Sequence, residues 1–461
     1  MEMTRTFELG KRNILNKISF GFHYIILQVR IFLIGSFLAR KRCFKNIISL
    51  FLGLLFVVSP DVLCAQTSQS PWPWNLKGEN FQITFNSGND FRPSVTSNGE
   101  FYFVVWARKN PSGYDIFGAR IDKNGNRMDG DDIAICTATN DQTFPSVLWN
   151  GEKFFVVWQD RRSGNRWDIY GAFVTPDGAV GQEIQIAAGK PGLDQVGPVL
   201  SFDGENHLVV WQGKRNTKIY NIYYFSYVSK DGEVLGKPTP LSPSLKDETS
   251  PAVAFDGENH LIVWQDKRNG KTWNIYGTRV SPSGDVLDQN PVQLAFTGNF
   301  DRWDPVLAWS GHHYLVVWGV TQQNSYNFAG KRVFPQGDVL VVDTLDLTIQ
   351  GNESNKAFPS ILWDGSDFLL VWVEEPEGES KIYGASIQSQ YIPALISESA
   401  SISTPGKTTN PYFPGVALLG DEALVVWQEG PGADNTWNIF GQIIAKVKTP
   451  TPGESNLKSG Q

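Results

Sequence analysis

The sequence predicts an all-β fold, a seven-bladed β-propeller of four-stranded antiparallel blades that is closed by its own N-terminal strand. Three observations lead to this prediction. A strand motif that ends in tryptophan recurs seven times, a proline stands 13 residues before each of these tryptophans, and the last repeat lacks its final strand. Repeats of about 50 residues are typical of propellers and of other arrays built from one supersecondary unit.

The tryptophan motif sets the period of the repeat. It ends at seven positions spaced 52 to 55 residues apart: Trp106, Trp158, Trp211, Trp264, Trp318, Trp372 and Trp427. The prolines that precede them are Pro93, Pro145, Pro198, Pro251, Pro305, Pro359 and Pro414. Asn-Gly or Asp-Gly lies between proline and tryptophan in most repeats and favours the type I′ turn of a tight hairpin. An I-Y-G motif and a short fourth segment follow, so each repeat contains four strands, A to D.

The ends of the array predict how it closes. Strand B is a nearly continuous apolar run, so both of its faces must be buried, as they are when a sheet is stacked between two like sheets. The seventh repeat lacks strand D, whereas residues 79–85 form a strand with no repeat before it. We therefore expect strand 79–85 to pair with strand C of the seventh repeat near Gln442 to Ala445, which leaves no exposed edge.

The first 65 residues differ in charge from the rest of the chain. They carry a net charge of +6, whereas the whole chain of 461 residues carries −7. A basic cluster at 40–45, an uncharged run over 47–58 and a small residue at Ala65 form the pattern of a signal peptide. The apolar stretch 18–38 leaves two alternatives open, an uncleaved membrane anchor or a start codon assigned too early. The predicted organisation is a leader at 1–65, a linker at 66–78, the propeller at 79–448 and a disordered tail at 449–461.

These features predict where the protein acts. We expect a secreted, periplasmic or cell-surface monomer, attached to a membrane only if the leader is not cleaved. The acidic balance of the chain argues against a nucleic-acid partner. Of three cysteines only Cys136 lies beyond the leader, so no internal disulfide is expected even after export.

One repeat unit resembles a known family. The pattern G-x-x-F-x-V-V-W-x-D-x-R-x-G-x-x-x-D-I-Y-G-x-x-V-x-x-x-G is clearest over 151–178 and 257–284. It resembles the repeat of secreted bacterial surface β-propellers over residues 79–448, and the general topology is similar to sialidase-type and TolB-type propellers. The resemblance implies a propeller fold and export, and it implies no particular activity.

The loops between strands B and C are the first candidate site. They are long and variable, and in a propeller they share one face with the D–A loops around the mouth of the channel, where function is expected. The loops of the first four repeats are basic, which predicts an anionic glycan or an acidic protein as ligand. An alternative is structural, since Asp160 and Asp266 stand two residues before an arginine and could pair with it. The candidate cations are Arg108, Arg161, Arg162, Arg166, Arg215, Lys267 and Arg268.

Aromatic residues that open strand C are the second candidate set. An Asp or Asn follows each of them, and aromatic platforms beside amide or carboxylate groups suit sugar rings. The alternative is that each aromatic packs on the neighbouring blade while the Asp or Asn bonds loop backbone groups. The selected candidates are Tyr114, Trp167, Trp273 and Trp437.

The sequence offers no motif for a metal or for a nucleophile. His207 and His260 lie at equivalent turns one blade apart, too far to share an ion, and no G-x-S-x-G, H-E-x-x-H or P-loop pattern occurs. We therefore expect no cofactor. The main hypothesis is an exported non-catalytic binding or scaffold module for a glycan or protein ligand.

The alternative hypothesis is a glycan-active enzyme, a sialidase-like or other glycosidase or lyase. Two carboxylates at the channel mouth would suffice for hydrolysis of a glycosidic bond. Four acidic residues lie in the predicted D–A loops and could line the mouth: Asp194, Glu248, Asp301 and Asp304.

Overall fold

The strands form seven antiparallel sheets arranged in a ring, which confirms the predicted seven-bladed β-propeller. A computed structural model describes residues 71–447 apart from 86–87, 191, 215–219, 243, 245, 296–299, 323–324, 338, 344–346, 350–353, 376–378, 389, 391–394, 405–409 and 432–435. The expected leader and tail lie outside these residues. Within the described residues no helix is long and apolar enough to cross a membrane.

The blades use their strands in chain order, except that the first strand, β1 (Trp74–Gln82), belongs to blade seven. Blade one contains β2 (Asn89–Ser97), β3 (Tyr102–Asn110), β4 (Gly113–Ile121) and β5 (Ile133–Cys136). Blade two contains β6 (Gln142–Trp149), β7 (Phe154–Asp160), β8 (Asp168–Val174) and β9 (Ile184–Ala187). Blade three contains β10 (Gln195–Phe202), β11 (Asn206–Lys214), β12 (Tyr220–Ser229) and β13 (Val234–Thr239).

The other blades follow the same plan, with a divided outer strand in blades five and six. Blade four contains β14 (Glu248–Phe255), β15 (His260–Asp266), β16 (Asn274–Val280) and β17 (Val292–Gln293). Blade five contains β18 (Arg302–Trp309), β19 (Tyr314–Gln322), β20 (Ser325–Gln336), β21 (Val339–Val342) and β22 (Leu347–Ile349). Blade six contains β23 (Asn355–Trp363), β24 (Phe368–Glu375), β25 (Lys381–Gln388), β26 (Leu395–Ile396) and β27 (Ala400–Ser401). Blade seven contains β28 (Asn410–Leu419), β29 (Glu422–Gly430) and β30 (Asn438–Lys446), completed by β1.

Strand β1 closes the ring by pairing with blade seven as predicted, but in a different register: Phe81 and Gln82 lie opposite Gly441 and Phe440, and Ala445 lies opposite Asn75. It pairs antiparallel with β30, and Trp74 lies opposite Lys446. The strand begins at Trp74 rather than at residue 79, so part of the segment 66–78, which we expected to be a linker, is strand. A bulge after Lys77, with Gly78 at φ +75°, divides the strand into two paired stretches. A strand prediction that relies on alternating residues therefore misses the first stretch, which begins at Trp74.

The tryptophans of strand B form the core between neighbouring blades. Each of the seven is at most 1% exposed. Trp158 of blade two, for example, packs in one cluster with Phe103 and Val105 of blade one. Strand B is therefore apolar on both faces because a blade lies against each of them.

The A–B turns differ in type from the prediction. In blade two the Asn150 side chain accepts hydrogen bonds from the backbone N–H groups of Glu152 and Lys153 at 2.9 and 2.7 Å. Only Gly151 has a positive φ, +93°, at the first central position of the turn. This pattern fits a type II′ hairpin turn, which needs glycine at that one position, rather than type I′.

Candidate functional site

The inner strand of every blade bulges at the residue before its proline. In blade one the register of β2 with β3 shifts between Phe91 and Ser94, and the other six blades shift at the equivalent place. Left-handed backbone costs a residue with a Cβ about 1 kcal/mol. Strained conformations of this kind cluster at functional sites. The residues with φ between +47° and +62° at this position are Arg92, Phe144, Gly197, Ser250, Asp304, Phe358 and Phe413.

These seven residues, here called the channel ring, surround the centre of the propeller. Together with most of the repeated prolines they line a cavity of about 780 Å³. The prolines and tryptophans repeat because they build each blade, whereas the channel ring holds one cation, one anion, three phenylalanines, a serine and a glycine. A position that varies inside a cavity is not dictated by blade architecture, so this variation marks the channel ring as the candidate site.

Glutamine side chains fix the polar half of the channel ring. Four ring residues donate their backbone N–H to a glutamine that follows the strand B tryptophan of the preceding blade. The pairs are Arg92 with Gln428 at 2.8 Å, Gly197 with Gln159 at 3.0 Å, Ser250 with Gln212 at 3.1 Å and Asp304 with Gln265 at 2.9 Å. For the three phenylalanines, the residue after the strand B tryptophan of the preceding blade is Ala107, Gly319 or Val373 rather than glutamine. These hydrogen bonds between neighbouring blades thus fix the backbone of the ring residues that are polar or glycine.

Arg92 is held between two aromatic rings. Its guanidinium carbon lies 4.0 Å from the ring centroids of both Phe144 and Phe413. Contacts of a cation with the faces of two aromatic rings are favourable and restrict the side chain to one position. Burial lowers the pKa of Arg92, and the negative charge of Asp304 partly opposes this effect. The guanidinium nevertheless stays charged at neutral pH because its ordinary pKa exceeds 12.

Asp304 is the acidic member of the channel ring. Burial raises the pKa of its carboxyl, while a hydrogen bond from Ser250 and the charge of Arg92 oppose that rise. The Ser250 Oγ lies 3.1 Å from Asp304 Oδ1. A carboxyl group with a raised pKa keeps its proton to higher pH than an exposed one, which is the property a general acid needs.

The mouth of the channel carries aromatic side chains. A second cavity of about 420 Å³ shares Arg92, Phe144 and Phe413 with the channel and is also lined by Tyr114 and Trp167. The sequence search therefore found part of this region through the residues that open strand C.

Two rings that line this cavity, Tyr114 and Phe91, belong to a run of four aromatic rings in contact that we call the aromatic rim: Tyr114, Phe91, Trp437 and Tyr412. Successive ring centroids lie 6.0, 6.0 and 5.9 Å apart. Trp273 lies outside this run, 5.4 Å from the Lys267 ammonium. Of the four aromatic candidates, Tyr114 and Trp167 thus line the mouth cavity, and Trp437 packs against Phe91, which also lines it.

Four of the candidate arginines are ion-pair partners within the blades. Arg108 is 6% exposed and pairs with Asp90 at 2.7 Å and with Asp132 at 2.6 Å. Arg166 pairs with Asp168 at 2.9 Å. These two arginines have structural partners that differ from the ones the sequence suggested, Asp160 and Asp266.

Arg162 and Arg268 belong to the same group. Arg162 contacts Asp160 at 2.6 Å and Glu183 at 2.5 Å. Arg268 contacts Asp266 at 2.5 Å, and Asp266 also accepts a hydrogen bond from the Trp264 indole. Each arginine therefore neutralises a carboxylate that anchors the blade.

Two of the remaining cationic candidates lie beside aromatic rings. Arg161 is exposed, 5.8 Å from the Trp167 ring, and Lys267 is partly buried beside Trp273. Arg215 lies outside the described residues. An anionic ligand bound by these loops stays a prediction.

The four carboxyl groups proposed for the mouth lie in three different environments. Asp194 and Asp301 accept hydrogen bonds from the backbone N–H groups of Trp167 and Trp273 at 3.1 and 2.9 Å, so they join neighbouring blades. Glu248 is fully buried, bonds Ser242 at 2.5 Å, and has its pKa raised to about 8 by burial. Of the four, Asp304 alone lines the channel cavity.

Arg92 and the phenylalanines of the channel ring were missed by sequence reasoning. The residue before the repeated proline differs from blade to blade, but the two residues that precede it differ as well, so the sequence alone does not single it out. The charges that stand out in the sequence lie in the long loops instead. Metal ligation gains no support in the described part of the chain, where no group of His, Cys, Asp and Glu could hold an ion.

Comparisons with known proteins support the fold. No protein-family model and no curated protein matches the chain. A protein of unknown function from Dyadobacter fermentans is 13% identical, with 81% of this chain and 99% of that chain covered and a TM-score of 0.46. A puromycin hydrolase variant is 14% identical, with 84% and 58% covered and a TM-score of 0.50. An α-L-arabinofuranosidase of Fusarium graminearum is 12% identical, with 80% and 98% covered and a TM-score of 0.41. At such identities these similarities show the fold alone.

The main functional hypothesis from the sequence, a non-catalytic binding or scaffold module, is corrected by these comparisons. Several of the similar structures are glycoside hydrolases by name, so a non-catalytic module is not carried further as the main hypothesis. The earlier hypothesis relied on missing motifs, and glycoside hydrolysis needs only carboxyl groups that the fold brings together from distant repeats. The comparisons support a β-propeller and do not extend to the sialidase-type, TolB-type or surface-repeat resemblance.

Proposed function

We propose that the protein is a glycan-active enzyme, a glycosidase that binds a sugar chain at the channel mouth and cleaves it beside the channel ring. The observation that carries this proposal is Asp304, a carboxyl group that lines the central cavity with a pKa raised by burial. A glycosidase needs one carboxyl group that is protonated at working pH, and a cavity of about 780 Å³ is of the usual size for a ligand site.

Asp141 is the second carboxyl group in the proposal. It lines the mouth cavity together with Arg92 and Phe144, which also belong to the channel ring. In the proposed reaction Asp304 gives its proton to the oxygen of the leaving sugar. Asp141 takes a proton from the attacking water, whose oxygen bonds to the anomeric carbon as the glycosidic bond breaks.

The aromatic rim supports a sugar as ligand. Two of its rings, Phe91 and Tyr114, line the mouth cavity, and a sugar ring has a flat apolar face that packs against aromatic rings. Aromatic side chains with a few placed polar groups are typical of pockets for small molecules. The rim would hold the chain while the carboxyl groups act on one bond.

Hydrolysis of a panel of neutral and acidic polysaccharides tests the proposal, with reducing ends as the readout. We expect Asp304→Asn and Asp141→Asn to lower the rate by about 10² to 10⁴. Asparagine stands at the position of Asp141 in three other blades, at Asn89, Asn355 and Asn410, so D141N should fold normally.

Asp301→Asn is the matched control, because Asp301 occupies the same position in blade five and lines neither cavity. Its rate should equal that of the unchanged protein. The rate should also fall as pH rises through the pKa of Asp304, which lies above 3.8, since the acid then loses its proton. No activity on any glycan, or full activity in D304N, would overturn the proposal.

We further propose that the enzyme acts after export. The support is the signal-peptide pattern of the leader, residues 1–65. N-terminal sequencing of the exported protein should begin near Gln66. An intact leader on a membrane-bound protein would favour the anchor instead.

A further inference from the structure

We infer that Arg92 is the binding residue for the carboxylate of an acidic sugar, such as a uronic acid, inside the channel. The sugar part of this inference rests on the proposed function and names its substrate class. The carboxylate part rests on the surroundings of Arg92 alone.

The first argument is the unmatched charge of Arg92. Within the described residues its guanidinium has no carboxylate within 4.0 Å and no hydrogen bond from its side chain. The buried arginines Arg108 and Arg279, in contrast, pair with Asp90 at 2.7 Å and Asp288 at 2.8 Å. A guanidinium carries five N–H donors, and the phenylalanine rings beside Arg92 offer no lone pair to them. The donors are therefore available to a ligand oxygen in the cavity.

The second argument is that Arg92 is already ordered. Phe144 and Phe413 hold its guanidinium from two sides at 4.0 Å, and Gln428 fixes its backbone N–H at 2.8 Å. A ligand that binds a preorganised group does not have to immobilise it, which raises affinity.

The third argument concerns Asp304, the other charged group of the channel ring. It belongs to blade five and Arg92 to blade one, and their mutual attraction spans the cavity without an ion pair. When Asp304 holds a proton, it carries no charge. An anionic ligand then meets one cation and no repelling carboxylate in the ring.

The chemistry of the site selects a carboxylate among anions. A planar guanidinium matches the two oxygens of a carboxylate in a bidentate contact. The aromatic rim next to Arg92 takes the face of a sugar ring, so the best-fitting ligand carries both groups. Sugar phosphates and sugar sulfates share the negative charge and serve as the competing ligands in the test.

Calorimetric binding of methyl glucuronide and of its uncharged methyl ester tests the inference. The background is the D304N full-length protein, in which turnover does not interfere. We expect the acid to bind at least tenfold more tightly than the ester. Arg92→Gln should remove this preference, whereas Arg92→Lys should keep part of it. Arg92→Gly is a second variant that should fold, because Gly197 occupies the same backbone position in blade three.

Three results would overturn the inference: equal binding of acid and ester, a preference that survives in R92Q and R92G, or tighter binding of glucose 6-phosphate or glucose 6-sulfate. The outcome is separable from that of the proposed function. Arg92-dependent preference for the acid without hydrolysis of any glycan supports the binding site and defeats the enzyme. Hydrolysis of neutral glycans without preference for the acid supports the enzyme and defeats the carboxylate-binding site.

Discussion

Removal of the Trp74 side chain should destabilise the whole propeller. Trp74 lies on β1, is 1% exposed, and packs between blades six and seven against Leu369, Val425 and Ile444. Replacement of a buried tryptophan by alanine costs about 3–5 kcal/mol, through lost burial and the cavity that remains. Because β1 is the strand that closes the ring, Trp74→Ala should lower the free energy of unfolding by that amount.

Leu76→Ala on the same strand is the matched control. Leu76 is 45% exposed, so its truncation should change stability by about 0.5 kcal/mol or less. Urea unfolding followed by circular dichroism measures both variants, with the midpoint compared at constant slope. If W74A and L76A unfold at the same urea concentration, the closure of the ring by β1 does not contribute to the free energy of unfolding.

Two further predictions concern buried charge. Arg268→Glu should lower the free energy of unfolding by about 3 kcal/mol or more, because it leaves the buried Asp266 carboxylate unpaired. Lys271→Glu on the same loop should leave the melting temperature nearly unchanged, and equal melting of the two variants would contradict the structural role of Arg268. Burial lowers the pKa of His207 and of His260 from 6.5 to about 4, so the unfolded chain binds more protons between these values and stability falls as pH drops, by up to about 3 kcal/mol per histidine. Replacement of both histidines by phenylalanine, which two other blades have there, should flatten the loss between pH 6.5 and 4.5 in urea titrations, and an unchanged pH slope would refute the assignment.

The blades were predictable because their construction repeats. A buried tryptophan, a proline and a glycine turn recur in each blade for the same physical reason, so seven copies reveal the period and the missing strand. The start of β1 was not predictable in the same way. Its bulge after Lys77 breaks the alternation of side chains that a strand prediction uses.

The candidate site was predictable only in part. Tyr114, Trp167 and Trp437 were selected as aromatic platforms; the first two line the mouth cavity, and Trp437 packs against Phe91 beside it. The role of the positive loops in ligand binding was overestimated, because a sequence shows charged residues without their ion-pair partners. Arg108 stands beside Lys109 in the sequence, yet its partner Asp132 comes from the loop just before the outer strand β5.

Arg92 was missed for a different reason. A residue before a proline in an apolar strand is expected to be extended and half buried, and nothing in a single copy shows that its backbone turns into the channel. Even the comparison of all seven copies does not single out this position, because the residue directly before it varies as well, for example from Phe91 to Thr143 and Val196.

A crystal structure of the D304N protein with a bound acidic trisaccharide tests the central claim most directly. The measurement is the position of the sugar carboxylate and of the glycosidic oxygen in electron density. The account predicts the carboxylate within about 2.7–2.9 Å of the Arg92 guanidinium and a glycosidic oxygen beside residue 304. A sugar bound only on the outer loops around Arg161 and Lys267, with the channel free of it, would contradict the account.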